Sequence, residues 1–319
     1  MTAPLLEAKE LSQHFSVKRG FLERGIVRAV DGISLELRAG ETLGLVGESG
    51  CGKTTLMRLL LNLLIPSEGR IQFKDRDLQS LSEPERREYR RAVQPVFQNP
   101  FSSLDPRMRV ERIISEPLRV NTSLGKIAVA ERVSEVLHMV GLHAGDAEKY
   151  PHEFSGGQRQ RIAIARALAS EPQIMILDEA VSSQDISIRA QILNLLKDLK
   201  ARFSLSYLFV AHDLATMRYM SDRIAVMYLG KIVETGTSEA VCTRPLHPYT
   251  QALFDACLPD DPDAVAKVPP LSGEVPSPLD PPSGCRFRTR CPHARAECAI
   301  GEPALKKVAH GHQVACVLY

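Results

Sequence analysis

Short apolar runs recur along the first 230 residues and are the clearest structural signal in the sequence. Residues 33–37 alternate apolar and polar side chains, which is typical of a strand with one face in solvent. Residues 42–46 form a short apolar run that suits a buried parallel strand. Three further runs of this kind are predicted to be strands and lie at residues 174–177, 207–211 and 224–228.

Stretches with helical spacing separate these runs. Apolar residues in 54–65 fall at helical intervals, and the proline that follows is predicted to end this helix. A second helical region, residues 109–142, is predicted to be divided by Pro117 and Gly141, and a third covers residues 158–170. Strands that alternate with helices predict an α/β fold with a mostly parallel sheet.

Proline changes the pattern after about residue 240. Ten prolines between residues 245 and 282 exclude long regular elements there and predict a loop-rich segment. We therefore predict two domains, residues 1–240 and a C-terminal extension at residues 241–319.

Charge and composition exclude several classes of protein. The 319 residues include 40 Lys and Arg against 38 Asp and Glu, a formal net charge of +2, which argues against nucleic acid or an anionic membrane surface as partner. A hydrophobic content of 44% fits a folded globular protein. No apolar run approaches the roughly 18 to 20 residues that span a bilayer, and the N-terminus lacks a secretory signal. We expect the chain to stay in the cytosol.

A glycine-rich loop follows the run at residues 42–46 and precedes the first predicted helix. It has the pattern glycine, four residues, then Gly-Lys-Thr, which is typical of a phosphate-binding loop. Its amides and the helix N-terminus can bind a polyphosphate, Lys53 can neutralise phosphate charge, and the Thr54 hydroxyl can ligate Mg²⁺. The pattern does not distinguish an ATPase from a GTPase, kinase or helicase. The candidate nucleotide-binding residues are Gly47, Glu48, Ser49, Gly50, Cys51, Gly52, Lys53, Thr54 and Thr55.

Two carboxylates follow the apolar run at residues 174–177. Asp178 stands where a carboxylate can orient Mg²⁺, and Glu179 stands where a general base can polarise the attacking water. Two solvated acids in a turn are the alternative, which the phosphate loop upstream disfavours.

Between these two motifs lies a third, which resembles the signature sequence of ATP-binding cassette ATPases. It is Phe-Ser-Gly-Gly-Gln-Arg-Gln-Arg and contains Ser155, Gly156, Gly157 and Gln158. The resemblance extends to other motifs of that family in the same order. It assigns Phe15 to adenine stacking, Gln98 to the Q-loop and Mg²⁺, Ser182 and Asp185 to the D-loop, and His212 to the switch histidine.

This resemblance implies a P-loop (RecA-like) ATP-binding cassette core with a helical signature subdomain at about residues 99–165. In that family two cassettes dimerise head to tail around two ATP molecules, and each site combines one subunit's phosphate loop with its partner's signature. Glu179, His212 and Gln98 are then the catalytic residues. Two positions depart from the family pattern, Ala180 after the catalytic glutamate and Gln184 in the D-loop. We expect hydrolysis to survive, with the rate and the coupling of the two sites left open.

The C-terminal region indicates which group within that family the chain resembles. Residues 247–253 and 271–278 resemble ATPase subunits of dipeptide, oligopeptide and nickel importers, and the whole chain is most similar to the second ATPase subunit of a dipeptide permease. The resemblance implies a paralogous ATPase partner, two transmembrane permease subunits, an extracytoplasmic solute-binding protein and no nucleic acid. It implies a location at the cytoplasmic face of the bacterial inner membrane. The transported solute stays open, and the alternative is a soluble or regulatory cassette ATPase not coupled to transport.

Four cysteines crowd the end of the chain, at Cys285, Cys291, Cys298 and Cys316. In a reducing compartment such a group indicates metal binding before disulfides, and four thiolates suit either a [4Fe–4S] cluster or tetrahedral zinc. The importer ATPases that the chain resembles carry an iron–sulfur cluster at this position, which favours the cluster over zinc. Nearby basic residues are predicted to offset the negative charge of such a cluster, namely Arg286, Arg288, Arg290, Arg295 and Lys306.

Overall fold

The computed structural model describes residues 3–19, 23–99, 103–180, 185–211, 213–255, 274–309 and 311–319. The chain divides into two compact units that alternate along the sequence. The first unit comprises residues 1–5, 37–42 and 73–211, and the second comprises residues 6–36, 43–72 and 212–319. The predicted boundary near residue 240 lies inside the second unit and stays a prediction.

The regular elements of the described residues are as follows. The strands are β1 (Leu6–Arg19), β2 (Glu23–Leu37), β3 (Thr42–Val46), β4 (Glu68–Phe73), β5 (Arg76–Asp77), β6 (Val93–Val96), β7 (Ile174–Asp178), β8 (Ser206–Val210), β9 (Arg223–Tyr228), β10 (Lys231–Thr237), β11 (Lys306–Ala309) and β12 (His312–Val314). The helices are α1 (Lys53–Leu60), α2 (Glu83–Ala92), α3 (Val110–Asn121), α4 (Lys126–Met139), α5 (Gly156–Ala169), α6 (Ile186–Phe203), α7 (Leu214–Met220), α8 (Ser238–Thr243), α9 (Pro248–Asp255) and α10 (Glu297–Ile300). Two 3₁₀ turns lie at Ala144–Glu148 and Pro151–Glu153.

The first unit contains a parallel sheet and a group of helices. Strands β6, β7 and β8 are neighbours in that order, with Val93 opposite Ile174 and Ile174 opposite Ser206. Strand β7 is apolar and buried until its last residue, as a strand covered on both faces must be. Helix α3 packs on α4 and α5, and the apolar sides of the three helices form their shared core.

The second unit contains two sheets. In one, β2, β1 and β4 are neighbours in that order. In the other the order is β11, β12, β10, β9 and β3, in which β9 runs parallel to β3 and the remaining pairs are antiparallel. Strand β3 is buried throughout and delivers the chain directly to the glycine-rich loop at the N-terminus of α1.

These elements confirm the predicted α/β class and each predicted strand, and they correct two predictions about helices. Helix α1 ends at Leu60, five residues before the predicted end, because Asn62 adopts a left-handed conformation with φ of 55°. Pro117 lies inside α3 and does not divide the helical region, whereas Gly141, with φ of 75°, follows the end of α4 as predicted. Among the described residues, no helix is both long and apolar enough to cross a membrane.

Candidate nucleotide site

The glycine-rich loop forms a tight turn between β3 and α1 in the second unit. Gly50 and Gly52 have φ of 79° and 111°, a region that side chains with a Cβ rarely adopt. A Cβ at Gly52 would also lie 2.0 Å from the carbonyl oxygen of Ala29, and one at Gly47 would lie 2.2 Å from that of Met227. The glycines are therefore required both for the turn and for its close packing.

Lys53 turns back onto the loop. Its Nζ donates hydrogen bonds to the carbonyl oxygens of Gly47 at 2.7 Å and Glu48 at 3.0 Å, and it lies 3.6 Å from the Sγ of Cys51. Burial raises the pKa of the Cys51 thiol, although Lys53 opposes the shift, so Cys51 is a neutral group in the loop. Ser49 and Thr54 are exposed, and this leaves the outer side of the loop accessible to a phosphate chain.

Two residues of the C-terminal region hold the loop at Glu48. The Glu48 N–H donates to the hydroxyl of Tyr249 at 2.8 Å. The guanidinium of Arg290 donates to both carboxylate oxygens of Glu48, at 2.8 and 3.0 Å, and this pairing raises the pKa of Arg290 further above its ordinary value. Sequence reasoning missed both contacts, because the partners are 201 and 242 residues from Glu48 along the chain.

An aromatic cluster fixes these two partners. The rings of Tyr228 and Tyr249 lie 4.6 Å apart between centroids, and the ring of Phe287 lies 5.3 and 5.5 Å from them. All three rings are buried, and the guanidinium carbon of Arg290 is 5.9 Å from the centroid of Tyr228. Strand β9, helix α9 and the segment around Phe287 are thereby packed into one core next to the phosphate loop.

The predicted catalytic carboxylates lie in the first unit, at the end of β7. Asp178 is the last residue of that strand, and Glu179 follows it with φ of 43°. The Glu179 N–H donates to the carbonyl oxygen of Val210 at 2.9 Å, which ties this residue to the end of β8. The Nε2 of Gln98 donates to the Oε2 of Glu179 at 2.6 Å. The structure therefore brings the predicted Q-loop glutamine and the predicted general base together.

The predicted signature begins helix α5 in the same unit. Ser155 is the N-cap, and it forms a reciprocal capping box with Gln158 in which each side chain accepts from the other's backbone N–H, at 3.4 and 2.9 Å. Both side chains are exposed. Gly157 is buried, and a Cβ there would lie 2.6 Å from the Cγ2 of Ile188 on α6. The result is an exposed helix N-terminus, the kind of site at which an anion binds.

The roles predicted for the other site residues stay predictions. Phe15 lies half-buried on β1, and Asp185 occupies the N-cap position of α6. Ser182, Gln184 and His212 lie outside the described residues.

The four C-terminal cysteines, Cys285, Cys291, Cys298 and Cys316, line one small cavity in the second unit. The N–H of Cys285 donates to the carbonyl oxygen of Cys298 at 2.8 Å, and all four are free thiols. Burial raises the pKa of Cys285 to about 11 and also raises those of Cys291 and Cys316. Within the part of the chain that the structure describes, no three potential ligands are close enough to hold a metal ion. The predicted iron–sulfur cluster, like the zinc alternative, thus has no preformed ligand set here.

Two of the basic residues predicted to offset cluster charge are paired with carboxylates. Arg290 is bound to Glu48, and Arg286 is bound to Asp31 and, at 3.0 Å, to Glu302. Both arginines are buried. They bind the extension to the rest of the second unit, and their charge is already neutralised there.

Together these features define a class of protein. A phosphate loop after a buried strand, two carboxylates after another, and a Ser-Gly-Gly helix start are the parts of an ATP-binding cassette. Residues 30–182 match the family described as ABC transporter, and residues 233–298 match the oligopeptide/dipeptide transporter C-terminal region.

Characterised relatives extend the match over the whole chain. The oligopeptide transport ATP-binding protein AppF of Bacillus subtilis is 47% identical, covering 99% of this chain and 97% of its own length. OppF of Salmonella typhimurium, of the same description, is 48% identical over 98% of this chain and 96% of its own. The dipeptide transport ATP-binding protein DppF of Escherichia coli is 46% identical, covering 98% of this chain and 94% of its own length. The chain therefore belongs to the ABC transporter family as an ATP-binding subunit, and it couples ATP hydrolysis to transport.

Solved structures confirm the cassette fold. The ATP-binding cassette MJ0796, a dimer in a post-hydrolysis state with ADP and phosphate, is 27% identical with a TM-score of 0.65, covering 73% of this chain and 98% of that one. The protein cbiO1 of Clostridium perfringens, part of the ABC transporter complex cbiONQ, is also 27% identical with a TM-score of 0.66, covering 76% of this chain and 91% of that one.

Proposed function

We propose that this chain is the ATP-hydrolysing motor of a bacterial importer of dipeptides or oligopeptides. The observation that carries the proposal is its sequence identity of 46–48% to peptide transport ATP-binding proteins over nearly its whole length. The match of residues 233–298 to the C-terminal region of oligopeptide and dipeptide transporters supports the same cargo class.

The residues of the site fit ATP hydrolysis. The amides of the phosphate loop and the Nζ of Lys53 would bind the β- and γ-phosphates once Lys53 leaves the carbonyl oxygens it now contacts. The Thr54 hydroxyl, the Asp178 carboxylate and the Gln98 amide oxygen are each oxygen donors of the kind that Mg²⁺ prefers, and we assign Mg²⁺ to these three residues. When bound, Mg²⁺ would neutralise charge that develops on the phosphates.

Glu179 would accept a proton from the attacking water. Its left-handed backbone is an uncommon conformation of the sort that occurs at functional sites, and its bond to Val210 holds it in place. In the described conformation the Nε2 of Gln98 binds one of its oxygens, so catalysis would require that contact to be exchanged for water. We also assign Phe15 to adenine, His212 to the γ-phosphate, and Ser182 and Asp185 to the D-loop.

The partners follow from the same proposal. A second ATPase subunit, a paralogue, would place its phosphate loop against the exposed N-terminus of α5 formed by Ser155 and Gly156. Two transmembrane permease subunits and an extracytoplasmic solute-binding protein would complete the importer. The chain would then lie at the cytoplasmic face of the inner membrane, with residues 1–240 as the cassette and 241–319 as the extension.

The decisive experiment reconstitutes the chain with its permease and ATPase partners and measures ATP hydrolysis with a binding protein and candidate peptides. We expect di- or oligopeptides to stimulate hydrolysis, and Glu179→Gln to abolish turnover while ATP binding is retained, because the amide cannot act as a base. Hydrolysis that responds to no solute would favour a soluble or regulatory ATPase. Normal turnover in Glu179→Gln would contradict the assignment of the base.

We also propose that the four C-terminal thiols bind a [4Fe–4S] cluster. The support is that all four line one cavity in a segment with little regular structure of its own. Four thiolates suit either a [4Fe–4S] cluster or tetrahedral zinc. The resemblance to importer ATPases that carry an iron–sulfur cluster at this position favours the cluster. Bound there, it would cross-link the extension.

Anaerobic purification tests the cluster. We expect the full-length chain to contain about four iron atoms and to absorb as a brown protein, and Cys285→Ser to lose both properties. Cys242 is a half-buried cysteine on α8, away from the cavity lining, so Cys242→Ser is the matched control and should keep the iron. Zinc in place of iron, or no metal in either protein, would refute the proposal.

A further inference from the structure

Residue 48 of the phosphate loop is held at three points. Its N–H is bound by Tyr249, its carbonyl oxygen by Lys53, and its carboxylate by Arg290. By contrast, a Cβ built at Gly50 would meet no described atom within 4 Å, and Ser49 is exposed. The base of the loop is therefore fixed, whereas its tip has few contacts. The path of the tip depends on how residue 48 is held.

Charge gives Arg290 a second effect on the loop. Glu48 places a carboxylate in the loop assigned to the polyphosphate, and two anions in one site repel each other. The buried guanidinium of Arg290 donates two parallel hydrogen bonds to that carboxylate, a geometry that Lys cannot reproduce. It therefore neutralises Glu48 and fixes its rotamer at the same time.

Arg290 is itself held in place by aromatic residues of β9 and of the extension. Its guanidinium lies 3.4 Å from the hydroxyl of Tyr228 and about 6 Å from the ring of Phe287, within the buried aromatic cluster. It directly precedes Cys291, which lines the cysteine cavity. The segment 285–291 thus connects that cavity to the phosphate loop through one side chain.

We propose that Arg290, with Tyr249, is a positioning residue for ATP binding, acting through Glu48 to preorganise the phosphate loop. The inference rests on the loop being the nucleotide site of the proposed motor. It assigns the C-terminal extension a direct part in nucleotide affinity. Preorganisation of this kind raises affinity because the loop need not be ordered when the ligand binds.

The test measures ATP affinity of the full-length chain and the KM and kcat of the assembled transporter. We expect Arg290→Ala to weaken ATP binding and raise KM by about tenfold, the size expected for losing a charge-assisted hydrogen bond, with kcat at saturating ATP little changed. Loss of folded protein would instead lower kcat and leave KM unchanged. Arg290→Lys keeps the charge and most of the volume, so its ATP affinity should lie between those of the wild type and Arg290→Ala. This variant remains usable if Arg290→Ala folds poorly.

A double substitution separates positioning from general packing. In the Arg290→Ala background, Glu48→Gln removes the uncompensated carboxylate, so the double variant should bind ATP at least as tightly as Arg290→Ala alone. A weaker double variant, or wild-type affinity in Arg290→Ala, would overturn the proposal. Arg76→Ala removes an exposed arginine paired with Glu85 and should bind ATP normally. Lys53→Ala tests the site itself, because retained binding there would refute the phosphate-loop assignment independently of Arg290.

Discussion

Glu234 is a buried carboxylate that joins several parts of the C-terminal region. It lies on β10 and accepts hydrogen bonds from the backbone N–H groups of Leu246 and His247, both at 2.8 Å. Its Oε1 lies 2.7 Å from the Nε2 of His312 on β12. One side chain thus satisfies two buried amides and a histidine, and buried polar groups without such partners are costly.

Replacing Glu234 with glutamine should destabilise the protein. The amide nitrogen of Gln would face N–H donors and leave at least one of them unsatisfied, which costs about 2 kcal/mol of unfolding free energy. Urea denaturation of the full-length chain, followed by tyrosine fluorescence, measures this loss. Glu239→Gln, an exposed glutamate five residues further on, is the control and should stay within about 0.5 kcal/mol. Equal midpoints for the two variants would show that the Glu234 contacts contribute little.

Single residues differ in how well the sequence predicts them. The phosphate loop and the Asp178–Glu179 pair follow from local spacing, because each motif carries its chemistry within a few consecutive residues. The contact between Gln98 and Glu179 spans 81 residues, and the resemblance to a known family was needed to single out Gln98. The roles of Tyr249 and Arg290 come from tertiary packing over more than 200 residues, for which no local pattern exists.

Strands were predicted better than helix ends. A buried strand such as β7 needs only a short apolar run, and this is visible in the sequence. The end of α1 depends on the left-handed Asn62. The apolar residues beyond Asn62 continue the helical spacing, so the sequence predicted a longer helix. Pro117 stays within α3 because packing of that helix on α4 and α5 offsets the hydrogen bond that proline cannot donate.

The extension was predicted to be loop-rich, and its order comes from contacts with other elements. Strand β12 pairs with β10 and with β11, so the proline-rich tail adds two short strands to a sheet of the second unit. Glu234, Arg286 and Arg290 then anchor it through buried polar contacts. Proline composition excludes long elements but does not predict where short strands pair, because pairing is set by the sheet they join.

The proposed transporter requires a surface on the first unit that binds a permease subunit. Around the connection between α3 and α4, Val120, Leu124 and Ile127 are 66%, 50% and 78% exposed. A cleft of about 440 Å³ lies beside them, lined in part by Leu124 and Leu118. Contiguous exposed apolar surface is typical of protein interaction sites. These residues fall within the predicted helical subdomain, and we predict that they contact a permease subunit.

Ile127→Asp should therefore uncouple hydrolysis from transport. A charge at the centre of an apolar contact weakens association by about 2 kcal/mol or more, so peptide-stimulated hydrolysis of the reconstituted transporter should fall while the full-length chain still binds ATP normally. Ile300 is 84% exposed on α10 of the extension, and Ile300→Asp is the matched control, with stimulation retained. Co-purification with the permease subunits provides a second measurement. If the two variants co-purify and respond to peptide equally, the permease contacts a different surface.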